Sequence, residues 1–262
     1  MLDVSVIIPT CRREQLVLEA ISSVLGQRGV ELEVIVVDDT PEGTARTSVE
    51  GVGDPRVRYV HPTPSSGNVG PVRNKGAALS GSRYLHFLDD DDRLVEGALA
   101  ALVGALSKSR AGMAFGRVIP FGPKPALTEK MREYYVQAAA SARRIRGRYW
   151  FAAQMLFSRW VLVNSVCMIR REAFEAAGGY GSNFYADIEF YLYAARVSGV
   201  IFVDHDVLHY RVGSPSMTDG LLELDDVPQI RAEYLFLQRW YRERYGDLEY
   251  RTLQALAKIA KI

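Results

Sequence analysis

The sequence predicts an α/β domain: a mostly parallel central sheet with helices on both faces, followed by a helical C-terminal region. Three observations lead there. Short β-branched runs alternate with helical segments from residue 1 to about 120. Those runs are apolar on both faces, as strands covered on two sides must be. Two of them end in consecutive aspartates, at the strand ends where open α/β sheets bind ligands.

Taken in order, Val4–Pro9 is a nearly all-apolar strand, and Glu14–Gln27 carries Leu16, Ala20, Ile21, Val24 and Leu25 at helical spacing. Glu33–Asp38 and Val57–His61 are further strands, and Pro71–Ser80 is a helix entered through proline. Tyr84–Leu88 is a strand that leads into a helix over Leu94–Ser107. Past Gly122 the order changes: Lys124–Trp160 is helical and locally basic, Val166–Arg170 returns to the sheet, and Arg171–Ala177 is a short helix stopped by Gly178-Gly179. Asp187–Ser198 is a helix, Val200–Val203 and Val207–Val212 are strands, and Gln229 onward is mostly helical. The simplest division is one domain with a nucleotide half (1–120), an acceptor half (121–225) and a helical extension (226–262).

Composition narrows the function. The 262 residues hold 32 basic and 31 acidic side chains, a net charge of +1, which argues against a nucleic-acid partner. Apolar residues at 48% and charged ones at 24% are a globular mix. Cys11 and Cys167 form neither a disulfide framework nor a zinc set and suit a reducing compartment. Met1–Thr10 has no secretory pattern, and no run of about 20 residues is free of charge, so a cytoplasmic location is expected.

The chemistry concentrates at strand ends. Phe87–Asp92 (FLDDDD) places four consecutive carboxylates after an apolar strand. Like charges this close raise one another's pKa, so they need either a divalent cation such as Mn2+ or Mg2+ or the role of a solvated turn capping the next helix. Asp38 and Asp39 end a second strand, where an acid can accept from a nucleobase or ribose or serve as a turn residue. Between them, Ser65–Gly81 supplies glycines for close backbone approach, with Arg73 and Lys75 as cations suited to phosphate.

Together these pieces resemble glycosyltransferase family 2, of GT-A fold, with its Rossmann-like sheet. The family pattern runs Pro-Thr, V-D-D, G-N-x-G-x-x-x-R-N-x-G and L-D-x-D-D. Here it is matched by Pro9-Thr10, Val37-Asp38-Asp39, Gly67 to Gly76, and Leu88 to Asp92, and the likeness resumes at Arg170–Tyr180. The resemblance implies an inverting, metal-assisted transfer of sugar from a nucleoside-diphosphate sugar to an acceptor hydroxyl on a glycan, a lipid-linked molecule or a small molecule. It implies that Pro9, Thr10 and Asp39 line the base and ribose, with Arg73 near the base, ribose or diphosphate. Asp89 and Asp90 would face ribose or sugar, and Asp91 would bind the metal. Asp187 falls on the family's general base, although Ala186 replaces the usual glutamate before it. Arg211, in Val207–Thr218 with Tyr210, Ser214 and Ser216, would grip the diphosphate. The family's histidine there is Gly213, which leaves His209 as a packed strand residue or a substitute.

Two competing functions are a sugar-phosphate nucleotidyltransferase, which would want a glycine-rich loop after the first strand where this chain has PTCRRE, and a catalytically weak sugar-nucleotide binding protein. The basic segment Arg143–Arg148 with Tyr149 and Trp150 reads as a solvated face or a homodimer contact. Peripheral contact with an anionic inner-membrane surface stays open beside it.

Overall fold

A computed structural model describes residues 2–182, 186–213 and 227–260. Strands β1 (Val4–Thr10) and β2 (Leu32–Asp38) are buried at every position. Successive side chains on a strand point to opposite faces, so both faces of the sheet are covered there. β2 pairs with β3 (Val57–Val60), and β1 pairs with both β2 and β4 (Tyr84–Phe87), all in parallel. Thr10 stands opposite Asp38 and Ile7 opposite Phe87, so the carboxyl ends of β1, β2 and β4 open onto one edge.

Antiparallel strands extend this parallel core. Among the described residues the sheet order is β3-β2-β1-β4-β7-β6-β8-β5, with β5 (Arg93–Leu94), β6 (Met113–Phe121), β7 (Cys167–Arg170) and β8 (Val200–Arg211). β7 runs antiparallel to β4 and β6, and β5 antiparallel to β8. The two strands expected over 200–203 and 207–212 are therefore one. The helix expected from Leu94 starts at Ala98 instead, because Arg93 and Leu94 pair with His209 and Leu208.

Helix α1 (Glu14–Leu25) buries Val17, Ala20, Ile21 and Val24, one stripe at helical spacing. After the short α2 (Arg46–Glu50), α3 (Val69–Leu79) begins two residues earlier than expected, because the Asn68 side chain accepts from Gly70 N and caps it. Two glycines let α3 press against its surroundings. A Cβ on Gly76 would stand 2.4 Å from Ile7 Cγ2, and one on Gly70 would stand 1.9 Å from the Gly181 carbonyl oxygen. α4 (Ala98–Ser107) follows. The basic helix expected over 124–160 is two helices, α5 (Pro125–Ala142) and α6 (Arg148–Phe157), broken at Gly147 with φ 88°. α7 (Arg171–Ala177) ends at left-handed Gly178, and α8 (Ala186–Ser198) carries Asp187 in its first turn. α9 (Val227–Tyr245) and α10 (Asp247–Ala260) close the described chain, separated by Gly246.

The chain divides into two compact units, Met1–Val118 with Leu162–Tyr210 and Ile119–Val161 with Arg211–Ile262. In the second unit, Phe157 of α6 packs on Tyr250 of α10 with ring centroids 5.3 Å apart, and Tyr134 Oη donates to the Trp160 carbonyl at 3.0 Å. No helix among the described residues is long and apolar enough to cross a membrane.

His86, fully buried on β4, has its imidazole pushed down to about 4 by burial. The unfolded chain takes up that proton near pH 6.5, so the native state loses stability as pH falls from about 6.5 toward 4. The loss due to His86 between pH 7 and pH 5 should be about 2 kcal/mol. Urea denaturation at the two pH values should show His86→Leu losing less stability on acidification than the parent, by about that amount.

Candidate functional site

β4 ends where Leu88 N donates to the Ile7 carbonyl at 3.0 Å, and the chain then turns through Asp89–Asp92, with Asp92 N on the Asp89 carbonyl at 3.1 Å. Each of the first three carboxylates is held differently. Asp89 Oδ1 accepts from Arg73 Nη2 at 2.6 Å and from Asn164 Nδ2 at 3.1 Å, while Asp89 N donates to Ser165 Oγ at 3.0 Å. Asp90 Oδ2 accepts from Thr10 Oγ1 at 2.8 Å. Arg13 Nη1 bridges Asp90 Oδ1 at 3.0 Å and Asp91 Oδ2 at 2.9 Å. Burial raises the Asp90 pKa despite Arg13 and Thr10. Burial, then the charges of Asp89 and Asp90, push Asp91 up to about 6.

The acids of β2 serve the loops. Asp38 is fully buried and accepts from Thr40 N and Oγ1, Ala45 N and Tyr59 Oη at 2.7–3.0 Å. Burial works against its charge, but these bonds outweigh it and hold its pKa below the ordinary value. Asp39 Oδ1 accepts from Ser66 N at 2.7 Å and its Oδ2 from Gly67 N at 2.8 Å. It thereby pins the glycine-rich loop just ahead of α3. Asp39 and Asp90 both act electrostatically on Cys11, so that residue marks where the β1, β2 and β4 ends meet. Its thiol is raised, first by burial and then by Asp39, the opposite of what a reactive thiolate needs.

α3 connects this edge to the helix bearing Asp187. Asn74 clamps the Tyr180 backbone, donating from Nδ2 to its carbonyl at 2.8 Å and accepting from its N–H at 2.9 Å. The Arg73 guanidinium lies 5.2 Å from the Tyr180 ring centroid. Burial disfavours the Arg73 charge, but Asp89, Tyr180 and Asp187 more than compensate and raise its pKa. Asp187 is raised by burial, with Arg73 pulling it down and Asp89 pushing it up. Its Oδ1 accepts from Ile188 N at 2.8 Å within the first turn of α8. A buried network ties α8 to the residue that holds Asp89: Asn164 Oδ1 accepts from Tyr180 Oη at 3.1 Å and from Tyr191 Oη at 2.8 Å, and Tyr191 lies one turn beyond Asp187.

The structure thus brings together Thr10, Arg73, Asp89, Asp90, Asp91 and Asp187, with Asp39 behind the loop and Pro9 buried on β1 beside Val37. Thr10 engages Asp90 and Arg73 engages Asp89. Arg211 belongs to the second unit, at the end of β8, with its guanidinium 4.5 Å from the Phe121 ring centroid. His209 sits on β8 opposite Arg93. Ser214 and Ser216 lie outside the described residues. Sequence reasoning missed Arg13, Asn164, Tyr180 and Tyr191. Only Arg13, a cation three residues past Thr10, left a signal in the sequence. The others face the site through pairings of distant segments.

The donor set suits a hard divalent cation. All candidates are carboxylate oxygens, and Asp91 is a buried acid among like charges that such an ion would relieve. Among the described residues no three His, Cys, Asp or Glu side chains converge as a metal-binding group.

An uncharacterized protein of Mycobacterium tuberculosis is 28% identical over 217 residues, 78% of this chain and 65% of that protein. The Campylobacter jejuni GalNAc(5)-diNAcBac-PP-undecaprenol beta-1,3-glucosyltransferase is 33% identical over 105 residues, 39% of this chain and 34% of that enzyme. The chain therefore spans less than two thirds of the length of either relative. The crystal structure of S. aureus TarS residues 1–349 superposes with a TM-score of 0.62 at 17% identity, covering 97% of this chain and 78% of that one, a likeness of fold. TarS has also been solved with UDP-GlcNAc, and that structure superposes with a TM-score of 0.64 at 15% identity over 93% of this chain and 73% of that one. Residues 5–178 match the family described as Glycosyl transferase family 2. The chain, with its acidic strand tips on one edge of a GT-A sheet, belongs to glycosyltransferase family 2.

Proposed function

We propose that this chain transfers a sugar from a nucleoside-diphosphate sugar to an acceptor hydroxyl by direct displacement with inversion. The observation that carries the reading is Arg73, a buried guanidinium that acts at once on Asp89 of the strand tip and on Asp187 of α8. This coupling of a strand-tip acid with an acid on a separate helix supports a displacement, which needs a base across from the donor. TarS, solved with UDP-GlcNAc and with UDP, makes uridine nucleotides the first donors to test. The undecaprenol-linked acceptor of the C. jejuni relative makes a lipid-linked hydroxyl the first acceptor class.

Asp187 accepts the proton of the acceptor hydroxyl. The freed oxygen attacks the anomeric carbon from the face opposite the nucleotide, and the bond from that carbon to the β-phosphate oxygen breaks, its electron pair leaving with the nucleoside diphosphate. The raised pKa of Asp187 makes it a stronger base than an exposed aspartate. Arg73 keeps that rise in check and aligns Asp89. Asp91 would hold Mn2+ or Mg2+, which when bound supplies Lewis-acid neutralisation of the leaving diphosphate. Thr10 orients Asp90 by donating to its Oδ2. Pro9 and Asp39 shape the nucleotide end, Asp39 through the Ser66–Gly67 backbone.

Asp187→Asn should bind UDP-sugar as the parent does and lose about 10²–10⁴-fold in kcat. Wild-type turnover in that variant would remove Asp187 from the mechanism. Because burial raises its pKa, the acid limb of kcat/KM should lie above the pH at which an exposed aspartate titrates, with activity gained as pH rises through it. Asp91→Ala should abolish the increase in UDP affinity produced by Mn2+ in calorimetric titrations. A Mn2+ effect of undiminished size would place the cation elsewhere.

A further inference from the structure

Arg13 is unlike the other arginines around the site. One of its nitrogens, Nη1, donates to two carboxylates at once, Asp90 Oδ1 and Asp91 Oδ2, at 3.0 and 2.9 Å. The arginine side chain is 28% exposed, and those of Asp90 and Asp91 are 7% and 13% exposed. A guanidinium nitrogen shared by two buried carboxylates sets the group's delocalised positive charge against Asp91, the acid that would hold a divalent cation. Its position is enforced by the backbone. Arg12 has φ 57°, and among the described residues it alone holds positive φ without being glycine. Such a conformation costs of order 1 kcal/mol for a residue with a Cβ, and strain of this kind gathers at functional sites. Its effect here is to split two adjacent arginines: Arg12 goes outward to Glu42 at 3.1 Å, and Arg13 goes inward to the strand tip. Arg13 is also the residue before α1, yet its side chain makes no cap bond to the helix, so capping does not explain where it points.

We propose that Arg13 is the resident counter-ion of the acidic tip, that it must leave Asp91 before a divalent cation can bind there, and that cation and donor diphosphate therefore enter together. This rests on the cation reading given above. Partner loss supports the coupling. With Arg13 displaced, Asp91 is compensated by the entering ion, but an ion entering by itself leaves the Arg13 guanidinium without that carboxylate. With a diphosphate present the displaced guanidinium gains a partner, since its planar fork matches phosphate oxygens. Arg13 thus makes free metal a poor ligand and metal with nucleotide a good one.

The test is binding, not turnover. With MnCl2 alone, Arg13→Gln should bind Mn2+ about tenfold more tightly than the parent by calorimetry and gain several degrees more in Tm. Arg13→Lys, which keeps the charge, should stay closer to the parent. Arg13→Met repeats the measurement should the glutamine variant fail to fold. An Mn2+ affinity that is unchanged or weaker in both uncharged variants overturns the proposal. If at the same time Mn2+ still strengthens UDP binding through Asp91, the cation reading stands and only the role of Arg13 falls. If Mn2+ binds none of the proteins, with or without UDP, both fall together.

Discussion

The buried guanidinium of Arg73 is the charge around which the site is arranged. It is closed off from solvent, paired with Asp89 and close enough to Asp187 to lower that residue's pKa. Asp89 and Asp187, on a strand tip and a helix roughly 100 residues apart in sequence, thus feel the same buried charge.

What holds Arg73 in place is α3, and most of the glycine-rich motif has a structural role in doing so. Asn68 caps the helix, Gly70 admits the Gly181 carbonyl, Asn74 grips the Tyr180 backbone and Gly76 lets the helix approach Ile7 and Val37. A motif that looks like a phosphate cradle is in this chain a set of contacts that bring a helix against the sheet and against the segment leading to α8. Asp39 belongs to the same design, since its carboxylate orders the loop that starts the helix.

The acidic tip shows how a protein tolerates adjacent carboxylates. Each of the first three has its own partner set: Arg73 and Asn164 for Asp89, Thr10 and Arg13 for Asp90, and Arg13 for Asp91. Burial and the charges of Asp89 and Asp90 raise the Asp91 pKa in spite of Arg13.

The sequence by itself determined the parallel core, because β-branched runs apolar on both faces can only be buried between helices. It also determined the acidic strand ends, because Asp38, Asp39 and Asp89–Asp92 directly follow those runs. The helix break at Gly147, the single long β8 and the late start of α4 were not legible, since each depends on pairing or backbone angles that apolar periodicity does not encode. Tertiary structure alone decided the partners. Arg13 reaches Asp90 across 77 residues, and Asn164 reaches Asp89 across 75. Burial in the folded state then made those pairings energetically decisive, because low dielectric strengthens each charge interaction that water would have screened.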